Sequence, residues 1–258
     1  MQLRGAAGAV LAAMVALAGA CSAGERSPVA NRVGPTGPRA AAASGSPTTL
    51  AAAGRSASPV DRLFGVGDAQ QVIAVIADAP GDTTATLTAY ERTATGWTEA
   101  FGPWTANLGA GGFAPPGEKR EGDLRTPTGA FDLGFAFGVL PDPGVKGEYR
   151  RITSGSIVWD DDPASSRYNE WVDTSRQSAG IDPEPMYNQP VYNYGVVIAY
   201  NPERTPGLGS AIFLHVTKGG PTAGCVAIPQ DDLVTLLRWL DPDRRPRIVM
   251  GTRDAVVP

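Results

Sequence analysis

Short apolar segments separated by turn residues recur through residues 71–250. They are rich in β-branched and aromatic residues, and Gly, Pro, Asp and Asn lie between them, which is typical of strands joined by loops. The predicted strands are Gln71–Ala77, Thr83–Arg92, Gly129–Phe137, Ser156–Trp159, Gly195–Tyr200, Ser210–Thr217 and Arg247–Met250.

One segment has the period of a helix instead. In Gln230–Leu240, the residues Leu233, Leu236, Leu237 and Leu240 are spaced as i, i+3, i+4 and i+7, so they share one helix face. Two acidic residues near its start suit the first turn of a helix. The chain therefore predicts a mainly β fold, a single barrel-like or sandwich-like domain with one late amphipathic helix.

A long segment, residues 160–193, has no convincing period and is rich in Asp, Ser, Pro, Asn and Tyr. Loops of this length in a compact domain usually have a function, so we expect a functional loop or a capping insertion. The segment opens with three consecutive acids, Asp160–Asp162. Consecutive acids on a loop indicate a solvated surface rather than the carboxylate pair of a glycosidase.

The N-terminus has the pattern of an export signal. A basic start and an apolar run that ends at Ala20 predict a signal peptide over residues 1–20. Leu17–Cys21 resembles the bacterial lipobox, although Ala18 stands where a large aliphatic residue is usual. We expect Cys21 to carry a lipid that anchors the exported protein to the outer face of the cytoplasmic membrane, with simple secretion as the alternative. No later segment reaches the roughly 20 apolar residues of a membrane span, so this anchor would be the only membrane attachment.

Residues 21–60 are predicted to form a disordered tether. Of the 39 residues from 22 to 60, 29 are Ala, Gly, Pro, Ser or Thr, and none is aromatic. Such a segment cannot bury enough apolar surface to offset the entropy of the chain. The first aromatic residue that follows is Phe64, and we expect a single folded domain over residues 61–258.

Charge and composition exclude several classes of function. Residues 61–258 hold 25 acidic and 17 basic side chains, a net charge of −8, without a basic stripe, which argues against nucleic-acid binding. The whole chain has one histidine and two cysteines. These residues cannot complete a four-ligand Cys/His zinc site, and two cysteines cannot form a disulfide framework. We therefore expect no structural metal.

The single histidine and the one cysteine of the predicted domain lie ten residues apart. His215 ends an apolar strand, and Cys225 follows a turn that contains Gly and Pro. A thiol nucleophile needs an adjacent base, and that base needs a partner to fix its tautomer. Gly224 permits close backbone approach and leaves amide N–H groups for an oxyanion. From spacing alone, a Cys–His acyl-transfer site and a pair of ordinary buried residues are both open.

Two blocks of sequence resemble the L,D-transpeptidase (YkuD-type) catalytic domain family. In the first, the strand ending in His215 leads through a Gly-rich loop to Thr222–Cys225, which matches the family motif Ser/Thr-x-Gly-Cys. The second, Glu121–Phe131, is similar to the upstream strand-turn motif with Thr-Pro-x-Gly. The resemblance covers about residues 65–252, nearly all of the predicted domain, and indicates the shorter-loop branch of the family.

The chain departs from the family pattern at two positions. Many relatives have His where this chain has Ala223, and Arg or Asn where it has Ala227. Those residues help to hold the substrate or the loop in the longer-loop branch. The departures therefore bear on substrate choice more than on the type of reaction.

The resemblance implies a two-step transfer that needs no metal or cofactor. Cys225 would attack the amide between the L-centre of the third residue, a diamino acid, and the fourth, D residue of a peptidoglycan stem peptide. D-Ala would leave, and an amine of a neighbouring stem would take the acyl group from the thioester to give a 3→3 cross-link. His215, oriented by the carbonyl of Val216, would activate the thiol and protonate the leaving amine. The amides of Gly224 and Cys225 would form the oxyanion site, and Thr222 would support the loop.

Further substrate contacts are predicted from position in the chain. Tyr168, Asn169 and Trp171 are candidates to line the donor-peptide cleft, because the family tends to carry Tyr-Asn in this region; packing of the loop is the alternative. Tyr194 is a weaker candidate. Lys218 is expected to attract a carboxylate of the stem peptide, unless it is an exposed turn lysine.

Three functions stay open at this point. The leading one is a cell-envelope L,D-transpeptidase, a cysteine-dependent acyltransferase of peptidoglycan biosynthesis. With water as the acceptor, the same cysteine chemistry gives an L,D-carboxypeptidase or amidase. The third is a non-catalytic wall-binding lipoprotein on the same scaffold. A carbapenem, whose β-lactam ring mimics the acyl donor, is expected to inhibit the first two through Cys225 and to leave the third without an adduct.

Overall fold

Residues 58–257 are described by a computed structural model. The predicted signal peptide, Cys21 and the predicted tether as far as residue 57 lie outside the described residues. Val60, which the sequence assigns to the tether, is 1% exposed and packs with Val72 and Val249 in a small apolar cluster. Within the described residues, no helix is long and apolar enough to cross a membrane.

Strands dominate the described part of the chain, and helices are few. The strands are β1 (Gln71–Ala77), β2 (Thr84–Thr93), β3 (Gly96–Asn107), β4 (Gly129–Gly138), β5 (Tyr149–Arg151), β6 (Ile157–Asp160), β7 (Glu170–Asp173), β8 (Glu184–Pro185), β9 (Gly195–Ile198), β10 (Phe213–Val216), β11 (Val226–Ile228) and β12 (Arg247–Thr252). The helices are α1 (Gln230–Trp239) and α2 (Arg253–Val256). The prediction of a mainly β fold with a late amphipathic helix is confirmed.

Eight of the strands form a closed, barrel-like sheet. Their order is β12, β1, β2, β3, β11, β10, β9 and β4, and β4 pairs again with β12 to close the ring. Most neighbours are antiparallel, but β1 pairs with β12 and β10 with β11 in parallel. β5 adds to β4 outside the ring. Closure matters for the site because each strand of the ring is held by a neighbour on both sides.

The main core is filled from the barrel strands and from α1. Side chains such as Ile73 of β1 and Leu214 of β10 are fully buried, as the apolar runs in the sequence predict. The three leucines of α1, Leu233, Leu236 and Leu237, pack into the same core. Burying each of these leucines stabilises the fold by about 2 kcal/mol, which is why the helical period survives in a β-rich chain.

The long segment that follows β6 contains more regular structure than the sequence predicts. It carries β7 and β8, which flank β6 in a separate three-stranded sheet of order β7-β6-β8. This small sheet covers an aromatic cluster that includes Phe137, Trp159 and Phe213. Cys225 belongs to the same cluster. The segment therefore packs against the cluster that contains Cys225.

The largest strand that the sequence pattern misses is β3. It contains Gly102 and Pro103, residues that normally mark a turn, in the middle of twelve strand residues. Opposite them the pairing with β2 shifts register between Leu87 and Ala89. The irregular pairing accommodates the Gly-Pro step, so the strand continues where a local interpretation predicts a break.

Candidate active site

Two parallel strands deliver the histidine and the cysteine to one place. His215 lies in β10 and is paired with Ala227 of β11. Cys225 directly precedes β11, so its position along the sheet is that of Phe213, two residues before His215. Because the pairing is parallel, the chain crosses back between the two residues through the loop of residues 217–224. Strand register, rather than the loop itself, sets their separation.

Both residues line a cleft of about 460 Å³. One wall is the loop of residues 218–225, and another carries Tyr192. Three carboxylates, Glu121, Asp161 and Glu184, also line the cleft, and we call them the acidic wall. Lys218 is exposed and lines the cleft. A substrate that reaches Cys225 therefore passes charged groups of both signs.

The ring of His215 is buried and its tautomer is defined. Nδ1 lies 2.9 Å from the carbonyl oxygen of Val216. A carbonyl only accepts, so Nδ1 carries the proton and Nε2 keeps its lone pair. The edge of the Tyr192 ring packs against the imidazole at a centroid distance of 5.6 Å. Burial lowers the pKa of His215 to about 4, against the weaker raising effect of the Val216 carbonyl, so the ring is a neutral base at pH 7.

The thiol of Cys225 is buried and protonated at neutral pH. Its S–H donates to the carbonyl oxygen of Ala211 at 3.2 Å, and Sγ accepts from the amide of Phe213 at 3.4 Å. Burial raises the pKa of the thiol to about 12, although the Phe213 amide opposes the shift. The resting pair is therefore a neutral thiol and a neutral imidazole, without a preformed thiolate.

Two threonine hydroxyls hold the loop at Cys225. The hydroxyl of Thr222 donates to the Cys225 carbonyl at 2.7 Å and accepts from the amide of Gly224 at 3.0 Å. The hydroxyl of Thr126 reaches the same carbonyl at 3.4 Å and accepts from the amide of Gly109. Thr126 belongs to the upstream Thr-Pro-x-Gly block, so the structure brings both sequence blocks together at Cys225.

Gly224 is required by its backbone and by its surroundings. Its φ is +149°, and a Cβ at this position would lie 3.0 Å from the carbonyl oxygen of Arg125. Its amide donates to Thr222, so this N–H is already used. Among the contacts of residues 58–257, the amide of Cys225 has no acceptor. Of the two amides predicted for the oxyanion site, that of Cys225 is the one free to bind a developing negative charge.

The predicted peptide-binding residues of the long segment lie behind the cleft rather than on its wall. Tyr168 is 2% exposed, and its hydroxyl donates to the carboxylate of Glu121. The side chain of Asn169 bonds to main chain and to an indole N–H, and Trp171 packs edge-to-face on Phe135. The three residues are not among those that line the cleft, and their contacts match the alternative, packing of the loop. Tyr168 bonds to Glu121 and Asn169 to Ala211, two residues that line the cleft, and Trp171 packs against the aromatic cluster that contains Cys225.

Tyr194, the weaker candidate, also lies away from the cleft. Its side chain is half-buried and packs against the main core. Among the residues that line the cleft and that the sequence does not predict to do so are Tyr192 and the acidic wall. They come from separate segments and meet only through the tertiary fold. Two members of the wall carry a signal in the sequence, because Glu121 opens the upstream block and Asp161 belongs to the run of three acids.

Comparison with known proteins yields one family and one similar structure. The model of the YkuD family, described as the L,D-transpeptidase catalytic domain, matches residues 75–253. No curated protein matches the chain. The chain is similar to the crystal structure of the helical cell shape determining protein Pgp2 from Campylobacter jejuni, with 15% sequence identity and a TM-score of 0.37. The match covers 74% of this chain and 51% of the other, so this chain spans about half the length of that protein.

Proposed function

Because the chain belongs to the L,D-transpeptidase catalytic-domain family, we propose that it cross-links peptidoglycan stem peptides through a thioester on Cys225. One observation carries the proposal. The single histidine of the chain and Cys225 line the same cleft, and the histidine has its proton fixed on Nδ1 by Val216. Nε2 therefore keeps the lone pair of a base, and it belongs to a side chain that lines the same cleft as the thiol.

In the first step, Sγ of Cys225 attacks the carbonyl carbon of the third stem residue. The thiol proton passes to Nε2 of His215, and the developing oxyanion is bound by the amide of Cys225. When the C–N bond breaks, the proton on Nε2 passes to the leaving nitrogen, and D-Ala departs. The acyl group is then held as a thioester on Sγ.

In the second step, an amine of a neighbouring stem attacks the thioester carbon. The amine gives its proton to Nε2, the C–S bond breaks, and the proton returns to sulfur as the thiol. A free amine of a diamino acid is an ammonium in solution at neutral pH, and the acidic wall of Glu121, Asp161 and Glu184 favours its approach. The ammonium gives its extra proton to water before the neutral amine attacks, and the proton that then passes to Nε2 is the one released as the new C–N bond forms. This charge at the cleft supports an amine, rather than water alone, as the acceptor.

The purified chain and a disaccharide-tetrapeptide test the proposal directly. We expect release of D-Ala together with 3→3 linked dimers, both measured by mass spectrometry. Trimmed monomers without dimers would instead identify a hydrolase, the L,D-carboxypeptidase alternative. A chain that yields neither product and no carbapenem adduct, yet sediments with wall sacculi, would be the non-catalytic wall-binding protein. Either of these two results contradicts the proposed reaction.

We further propose that the protein works in the cell envelope, anchored by a lipid on Cys21. The support is the short apolar run that ends at Ala20 and the lipobox-like Leu17–Cys21. Cells fed labelled palmitate are expected to incorporate the label into the wild-type chain and not into Cys21→Ser. Equal labelling of the two chains would contradict the anchor, and an unlabelled wild-type chain found in the medium would indicate simple secretion.

A further inference from the structure

Both hydrogen-bonding functions of the Cys225 thiol are used by the segment of residues 211–213. The S–H donates to the Ala211 carbonyl at 3.2 Å, and Sγ accepts from the Phe213 amide at 3.4 Å. Neither partner is His215, the base that the reaction requires. The sulfur is thus held in a defined resting position, and its proton points to a main-chain carbonyl whose own position must be maintained.

Ala211 holds that carbonyl in an unfavourable backbone conformation. Its φ is +52°, the left-handed region that residues with a Cβ seldom adopt. A backbone of this kind persists where the surroundings over-determine it. At Ala211 itself, the amide donates to Oδ1 of Asn169 at 3.2 Å.

Asn169 is itself fully engaged. Oδ1 accepts a second hydrogen bond from the indole N–H of Trp159 at 3.0 Å. Nδ2 donates to the carbonyls of Tyr200 and Asn201 at 3.1 and 3.0 Å. Two donors face the oxygen and two acceptors face the nitrogen, so only one orientation of the amide satisfies every partner. The side-chain oxygen of Asn169 is therefore held in a fixed orientation as the acceptor for the Ala211 amide.

We propose that Asn169 is a positioning residue that sets the resting place of the Cys225 thiol through the main chain of Ala211. Asn169 fixes the Ala211 amide, the left-handed turn directs the Ala211 carbonyl at Sγ, and the carbonyl holds the S–H until a substrate enters. On acylation the S–H leaves this carbonyl and gives its proton to Nε2 of His215. The inference rests on the proposed function in one respect, that Cys225 is the nucleophile.

The S–H stretching band in the infrared spectrum tests the proposal without any peptidoglycan substrate. Subtracting the spectrum of Cys225→Ser isolates the Cys225 band from that of Cys21. In the wild-type chain we expect a narrow band at the frequency of a hydrogen-bonded thiol. Asn169→Ala is expected to broaden the band and move it towards the frequency of a free thiol, and to slow acylation by a carbapenem roughly 10–100-fold because the sulfur is misplaced.

Two substitutions at residue 211 separate positioning from a general loss of stability. Ala211→Val leaves Asn169 untouched but disfavours a positive φ further, so it should move the band in the same direction. Ala211→Gly keeps the amide and the carbonyl and accepts the positive φ, so its band should match the wild type. These two variants test whether the backbone of residue 211 positions the thiol, even where Asn169→Ala fails to fold.

The proposal is overturned by a wild-type S–H band in folded Asn169→Ala or in Ala211→Val. It is also overturned by a shifted band in Ala211→Gly, because the turn would then not depend on backbone conformation. If the proposed function is wrong but the positioning proposal is right, the S–H bands respond as expected, while neither the wild type nor any variant is acylated by the carbapenem.

Discussion

Cys225→Ser is expected to abolish acylation by a carbapenem and release of D-Ala, with a loss of at least roughly 10⁴-fold. Serine keeps the size of the side chain and its capacity to donate to Ala211 and to accept from Phe213. It lacks the thiolate, which is the reactive nucleophile in cysteine chemistry. The adduct mass of the intact protein and the D-Ala yield measure the effect.

The same variant serves as its own fold control. Cys225 packs in the aromatic cluster beneath the cleft, so a thermal unfolding midpoint close to that of the wild type would show that the cluster is intact. An adduct of the same yield in Cys225→Ser would show that acylation does not depend on the thiol. That outcome would contradict the cysteine mechanism.

His215→Gln is expected to lower the rate of carbapenem acylation by roughly 10²–10⁴-fold at pH 7, the range typical of a lost general base. Glutamine is neutral, as the imidazole is at this pH, so the substitution removes the base without changing the charge of the cleft. Initial rates of adduct formation across a range of pH values provide the measurement.

The pH dependence identifies the role of His215 independently of the size of the loss. Burial holds the pKa of His215 at about 4 and that of Cys225 at about 12. The wild-type rate should therefore fall only below about pH 5, where the imidazole gains a proton, and stay level from there to alkaline pH. Without the base, the rate should rise about tenfold per pH unit as hydroxide forms the thiolate. A deficit that is equal at every pH would instead give the histidine a structural role.

The sequence predicts the local parts of the fold well because their causes are local. The apolar run of β1 and the leucine spacing of α1 each express a burial pattern within a few residues, and the structure has both elements where the pattern puts them. The sequence pattern does not predict β3, because the Gly102-Pro103 step is accommodated in a strand only through irregular pairing with β2. That pairing is a property of two strands, and it is invisible in either strand alone.

The same distinction applies to the site. His215 and Cys225 stand out because they are rare residue types at the ends of recognisable elements. Tyr192 and Glu184 reach the cleft from residues that carry no motif, and the Tyr192 hydroxyl donates to Glu184 only because the small sheet brings the two together. Asn169 has the right neighbourhood in the sequence for a substrate contact. Its four hydrogen bonds, which only the tertiary structure reveals, give it a different task.

Because β10 and β11 pair in parallel, the positions of His215 and Cys225 do not depend on every residue of the loop that joins them. His215 and Cys225 are fixed by strand register, and the loop is tied down again where Thr222 bridges to Gly109. Between these fixed points, a side chain at Gly220 would meet no atom within 4 Å, whereas Gly219 has a φ of +90° that favours glycine. Residue 220 can thus vary while His215 and Cys225 stay in place. Because Gly220 lines the cleft, related sequences can change substrate specificity at this position without displacing His215 or Cys225.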